Sequence, residues 1–156
     1  MISKALTIGA FPYTGIRKQP VLYGMDSITQ TLIKPARKIH IVDDDDAVRD
    51  SLRALLESLG FEVLDYPSAK DFLARRGANT QACLLLDLHM PAMTGLELLE
   101  HMQATQTQLP TIVITGRGDA LSKARALLGG AIAFIDKPVA DDALLGAIDG
   151  AFAATA

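Results

Sequence analysis

Five short apolar runs, at 38–42, 61–66, 83–86, 111–115 and 131–135, alternate with five stretches of helical period, and this alternation restricts the fold more tightly than any other feature. Each run is too short for a stable helix and is bounded by turn residues, so each is predicted to be a strand. Val48, Leu52, Leu55, Leu56 and Leu59 mark a first helix, which Gly60 closes. Ser68, with Asp71 three residues on, opens a second that ends at Gly77, and Thr94 with Glu97 opens a third carrying the stripe Gly95, Leu98, Leu99 and Met102. Leu121, Ala124, Leu127 and Leu128 mark a fourth, closed by Gly129 and Gly130, and Leu144, Leu145, Ile148 and Phe152 mark a fifth. Strands alternating with helices imply an α/β fold, a parallel sheet joined by right-handed crossovers with helices on both faces. The run at 83–86 is apolar throughout, as befits a strand buried on both sides.

The alternation occupies 37–154 as one domain. Residues 1–36 show neither period and are punctuated by Gly9, Pro12, Gly15, Pro20, Gly24 and Pro35, so they are predicted to form an irregular arm. After the last helix only an alanine-rich stub follows, so no output domain is expected. The net charge of -3 argues against a nucleic-acid or anionic-membrane surface. Cys83 is the single cysteine, which excludes an intrachain disulfide or a cysteine metal cluster and fits a reducing, cytoplasmic setting. No apolar run reaches membrane-spanning length and no export signal is evident.

The chemistry lies at the strand ends. The first strand runs into Asp43 and Asp44, the third into Asp87, the fourth ends in Thr115, and Lys137 follows the fifth. In a parallel sheet these carboxyl ends share one edge, where ligands gather. Three carboxylates within a few Å repel by several kcal/mol at an intermediate effective dielectric, so they call for a compensating cation. Oxygen ligands suit a hard ion, and Mg²⁺ takes one or two carboxylates, waters and a phosphate oxygen. With the Lys137 ammonium and the Thr115 hydroxyl alongside, the set reads as a phosphoryl-transfer site whose nucleophile is Asp87. Asp45 and Asp46 are read as favourable charges at the start of the first helix.

Val-Asp-Asp-Asp at 42–45, Leu-Leu-Asp-Leu-His-Met-Pro-Ala-Met-Thr-Gly at 85–95, Ile-Thr-Gly at 114–116 and Asp-Lys-Pro at 136–138 stand in a familiar order and spacing. From about 38 to 152 the chain resembles a receiver domain of a bacterial two-component response regulator, and Thr115-Gly116-Arg117-Gly118-Asp119 is most similar to the FixJ-like subgroup. The resemblance implies the strand order 2-1-3-4-5. It implies that Asp87 accepts a phosphoryl group from the phosphohistidine of a sensor histidine kinase or histidine phosphotransfer protein. Asp44 and Asp87 would hold Mg²⁺ directly and Asp43 largely through water, with the backbone carbonyl of His89, not its imidazole, completing the ligands. Lys137 would contact the phosphoryl oxygens through a segment whose Lys137–Pro138 bond is cis. Thr115 would turn toward the phosphoryl group and Phe134 would swing inward behind it, altering the surface of the fourth helix, fifth strand and fifth helix. His89 and Arg117 flank the site and are placed to tune the lifetime of the acyl phosphate.

The output implied is protein contact: an unknown downstream protein, or a homodimer through that same surface, with no DNA binding by this chain and no membrane association. Two other readings stay open. Asp44-x-Asp46-x-Val48 also matches the nucleophile motif of haloacid-dehalogenase-type phosphatases, with Thr115, Lys137, Asp141 and Asp142 standing in for later motifs, although 87–95 is then unexplained. A receiver whose chemistry has lapsed into an interaction module is the third. The aspartate that becomes phosphorylated, Asp44 or Asp87, separates the first two.

Overall fold

β1 (Lys38–Val42) is followed by α1 (Asp46–Ser58), β2 (Glu62–Tyr66), α2 (Ala69–Arg75), β3 (Ala82–Leu86), α3 (Gly95–Ala104), β4 (Thr111–Thr115), α4 (Ala120–Leu128), β5 (Ala131–Asp136) and α5 (Asp141–Ala154). These elements come from a computed structural model that describes residues 36–78 and 81–155. The irregular arm expected over 1–36 therefore lies, Ala36 apart, outside the described residues. All strand pairs are parallel, and the sheet runs β2-β1-β3-β4-β5, the order the resemblance implied.

Alternation along the strands divides the apolar residues between two cores. Ile39 and Ile41 of β1, Cys83 and Leu85 of β3 and Ile112 and Ile114 of β4 face α1 and α5, meeting Leu52, Leu56, Leu144 and Ile148. Val42, Leu84, Leu86 and Val113 face the other way, toward Phe72 of α2, Leu98, Leu99 and Met102 of α3, and Ala126 of α4. Burial on both faces explains why β3 and β4 are buried at every position. Cys83 is buried and free, and burial pushes its thiol up to about 12, so it packs as a small hydrophobe.

Four of the five helix starts are set by a capping side chain, and α5, after Ala140, has none. Asp45 accepts from the Ala47 and Val48 amides, Ser68 from Asp71, and Asp119 from Ser122, while Thr94 and Glu97 form a reciprocal capping box. Two apolar stripes depart from expectation. Leu59 lies beyond α1 as its C-cap and is 49% exposed. In α4 only Ala126 is buried, and Leu121, Leu127 and Leu128 face solvent. At about 100° per residue, Leu121, Ala124 and Leu128 lie roughly 140–200° around the helix from Ala126, so they share a real face, but the outer one. In α5 the expected Leu144, Ile148 and Phe152 pack inward with Ala151, while Leu145 is half-buried.

Candidate functional site

The sheet order reverses between β1 and β3, and that crevice is where an open α/β sheet builds its sites. The parallel ladder reaches past the strand ends: the Asp87 amide donates to the Val42 carbonyl (2.9 Å), the Asp43 amide to Tyr66 (3.3 Å), and the Lys137 amide to Thr115 (2.9 Å). Three loops are thereby fixed to one edge. The loop after Asp87 folds back on itself, with the Gly95 amide donating to the Leu88 carbonyl at 3.0 Å. A Cβ on residue 95 would lie 2.3 Å from the Asp87 carbonyl oxygen, so only glycine fits where α3 begins against the Asp87 backbone. The Lys137–Pro138 bond is cis, as the resemblance implied.

Asp43, Asp44 and Asp87 each offer a carboxylate oxygen within 4.8 Å of the others. Asp43 and Asp87 are buried and Asp44 is exposed. The Lys137 Nζ donates to Asp43 Oδ2 at 2.7 Å and lies 3.8 Å from Asp87 Oδ1. Asp43 Oδ1 accepts from the Asp45 amide at 2.9 Å. Burial, and then the Asp43 carboxylate, hold the Asp87 carboxyl above its ordinary value, against the pull of Lys137. One ammonium thus leaves negative charge uncompensated in a pocket whose ligands are all oxygens. That donor set fits a hard divalent cation such as Mg²⁺, with Asp44 exposed at the mouth.

Thr115 is fully buried, and its hydroxyl shares a 3.0 Å hydrogen bond with the His89 Nδ1 and accepts from the Arg117 amide at 3.4 Å. Phe134 is half-buried, with the Lys123 Nζ 5.5 Å from its ring centroid. A Cβ on Gly118 would lie 2.6 Å from the tip of that ring. The structure therefore brings Asp43, Asp44, Asp87 and Lys137 together, sets Thr115 and His89 beside them, and rests Phe134 on the loop after Thr115. Beside Lys137 a mostly apolar cleft of about 520 Å³ opens, lined by Val48, Leu55 and Val139 together with Asp45, Ser51 and Asp141.

Asp46, the second acid of the phosphatase motif, points at Arg49 rather than joining the carboxylate group. Sequence reasoning passed over Arg49 itself. Its guanidinium donates to the Asp43 carbonyl at 2.7 Å, and the spacing of Arg49, Leu52 and Leu56 on the buried face of α1 was the signal that could have found it.

Comparison with known proteins bears on this geometry. Residues 39–149 match the response regulator receiver domain family. The chain is 40% identical over 113 residues to the transcriptional regulatory protein FixJ of Bradyrhizobium diazoefficiens, covering 72% of this chain and 55% of that one. It is 42% identical over 110 residues to the response regulator protein TmoT of Ectopseudomonas mendocina, covering 70% and 50%. It thus spans about half the length of these curated relatives. The crystal structure of FixJ-N superposes with a TM-score of 0.71 at 39% identity, covering 77% of this chain and 96% of that one. Among the described residues no helix is long and apolar enough to cross a membrane.

Proposed function

The chain belongs to the response regulator receiver domain family of two-component systems, and from that premise we propose that Asp87 is its phosphoacceptor and that phosphorylation switches its contacts with other proteins. The observation that carries the reading is the Lys137 ammonium set between Asp43 and Asp87 in a pocket of three converging carboxylates. An Asp87 carboxylate oxygen attacks the phosphorus of a phosphohistidine, the P–N bond breaks, and the imidazole leaves with its electron pair. Lys137 neutralises charge on the phosphoryl oxygens as the new P–O bond forms. Asp43, Asp44, Asp87 and the His89 carbonyl would hold Mg²⁺. When bound, the ion offsets the charge on the transferred group and orients it toward Asp87.

The phosphodonor is a sensor histidine kinase or a histidine phosphotransfer protein, and the mostly apolar cleft beside Lys137 supports docking of an apolar helical surface there. As the phosphoryl group is transferred, Thr115 turns from His89 toward its oxygens and Phe134 moves inward behind it, changing the surface of α4, β5 and α5. Exposed Leu121, Leu128 and Ile132 support protein contact as the output, with a downstream protein or a second copy. The net charge of -3 supports neither DNA nor an anionic membrane as the partner. This reading assigns residues 37–154 to the receiver and 1–36 to a separate arm. It makes the chain a phosphoacceptor rather than an enzyme, working in the cytoplasm.

The test is intact-protein mass after incubation with acetyl phosphate, with and without Mg²⁺, for wild type, Asp87→Asn and Asp44→Asn. A single phosphoryl adduct that needs Mg²⁺ and vanishes in Asp87→Asn is expected. An adduct that survives Asp87→Asn and is lost in Asp44→Asn would support the phosphatase chemistry, and no adduct on wild type would mark a lapsed receiver.

A further inference from the structure

α1 turns Arg49, Leu52 and Leu56 toward the sheet, at spacings of three and four residues. An arginine in such a stripe has to find partners, because an unpaired charge in a protein interior costs several kcal/mol. Arg49, with a side chain only 10% exposed, finds three. Its Nε donates to Asp65 of β2 at 3.3 Å, its Nη2 donates to Asp46 in the first turn of α1, and its Nη1 donates to the Asp43 backbone carbonyl at 2.7 Å. The guanidinium is a rigid plane, so three acceptors on three segments fix both its position and that of the groups it meets.

The third contact matters most. The Asp43 carbonyl belongs to the peptide unit that joins Asp43 to Asp44, and holding its oxygen fixes the direction in which Asp44 leaves the turn. Asp43 also has side-chain restraints, from Lys137 and the Asp45 amide. Asp44 is exposed, and among the described residues its carboxylate makes no hydrogen bond, so its aim depends on the backbone alone. We propose that Arg49 is a positioning residue for the cation pocket, holding the Asp43–Asp44 turn so that the Asp44 carboxylate stays aimed at the same point as Asp87. The inference rests on the reading that Asp43, Asp44 and Asp87 bind a divalent cation.

The sign of the effect separates this role from its rivals. Arg49 is a positive charge close to the acidic group, so by Coulomb's law alone its removal would tighten cation binding. Positioning demands the opposite. The experiment is titration of the full chain with Mn²⁺ as probe, followed by the electron paramagnetic resonance of the free ion, for wild type, Arg49→Gln, Arg49→Lys and Arg53→Gln. Urea denaturation in EDTA accompanies each titration. Arg53 pairs with the same Asp65 and with Glu57 but does not reach Asp43, so it controls for loss of a neighbouring charge and ion pair. Arg49→Gln is expected to weaken Mn²⁺ binding about tenfold or more, Arg49→Lys to recover part of the loss, and Arg53→Gln to bind as wild type does.

Unchanged or tighter binding in Arg49→Gln, with lowered urea stability, would reduce Arg49 to a structural residue and overturn the inference. So would equal weakening in Arg53→Gln. Should Arg49→Gln fail to fold, Arg49→Lys carries the test: weakening of several-fold is expected, and wild-type affinity overturns it. Wild type that takes up no Mn²⁺ would remove the cation-pocket reading and this inference with it, a result distinct from every other.

Discussion

The His89 Nδ1 lies 3.0 Å from the Thr115 hydroxyl, so the residue two positions beyond Asp87 holds the side chain that must turn if Thr115 is to meet a phosphoryl group. One net hydrogen bond of this kind is worth about 1 kcal/mol. His89→Ala is expected to speed phosphorylation by acetyl phosphate by up to about fivefold, followed by intact mass over time. An unchanged or slower rate would show that the bond does not restrain Thr115.

Gly118 forms the surface on which the Phe134 ring rests, and a Cβ there would meet the ring tip at 2.6 Å. The nearest obstacle is the far end of a side chain, which can rotate away, and the Thr115 methyl at 3.2 Å need give only a few tenths of an ångström. Gly118→Ala is therefore expected to cost under about 1 kcal/mol in urea denaturation while shifting the Phe134 ring resonances in NMR spectra. A loss nearer the roughly 1–3 kcal/mol of an overpacked core, with the ring signals unmoved, would mean the ring is held fast, and a switching role for Phe134 would fall.

Burial and Asp43 both disfavour the charged form of Asp87. A carboxyl whose folded pKa is raised withdraws stability above that pKa and returns it as the pH falls through it. Asp87→Asn removes the charge outright, so in EDTA at neutral pH the variant is expected to be more stable than wild type by about 1 kcal/mol. Mg²⁺ at ten times its Kd should stabilise wild type by about 1.4 kcal/mol and the variant by much less, read as a shift in Tm.

His40 of β1 is fully buried between the rings of Tyr66 and Phe72, with its Nδ1 3.1 Å from the Tyr66 hydroxyl. Among the described residues its Nε2 has no partner. Burial, followed by Lys38 and Arg76 and opposed by Glu62, lowers its pKa to about 4. Above about pH 6.5 the imidazole is neutral in both folded and unfolded chains and contributes no pH dependence. Between that value and about 4, the unfolded chain takes up a proton that the folded one refuses, so stability falls as the pH falls. From about pH 7 to about pH 5 this amounts to roughly 2 kcal/mol. His40→Leu is expected to remove that part of the slope, measured by urea denaturation at each pH.

Strand positions, the starts of α2 and α3 and the convergence of Asp43, Asp44, Asp87 and Lys137 were legible because each follows from a short-range pattern: alternation, a capping side chain, or a strand end on a parallel sheet. The pairing of His40 with Tyr66 was not, since it joins neighbouring strands across a register the sequence does not state. Arg49 was hidden because a charged residue in an apolar stripe reads as an interruption until its three acceptors are located. The leucines of α4 misled in the opposite direction. Their spacing is helical, but periodicity says only that residues share a face, not that the face points inward.

That helix carries a consequence of its own. α4 buries one residue, Ala126, whereas α3 buries Gly95, Leu98, Leu99 and Met102, and α5 buries Leu144, Ile148, Ala151 and Phe152. Burial of a leucine-sized side chain contributes about 1.5–3 kcal/mol, so α4 is anchored by far less than its neighbours. Among the helices of the described residues it is the one whose amides should exchange with solvent first, through openings far smaller than global unfolding. If Asp87 is the phosphoacceptor, a phosphoryl group there would meet little resistance in reshaping that side of the molecule, because the fold leaves α4 only lightly attached.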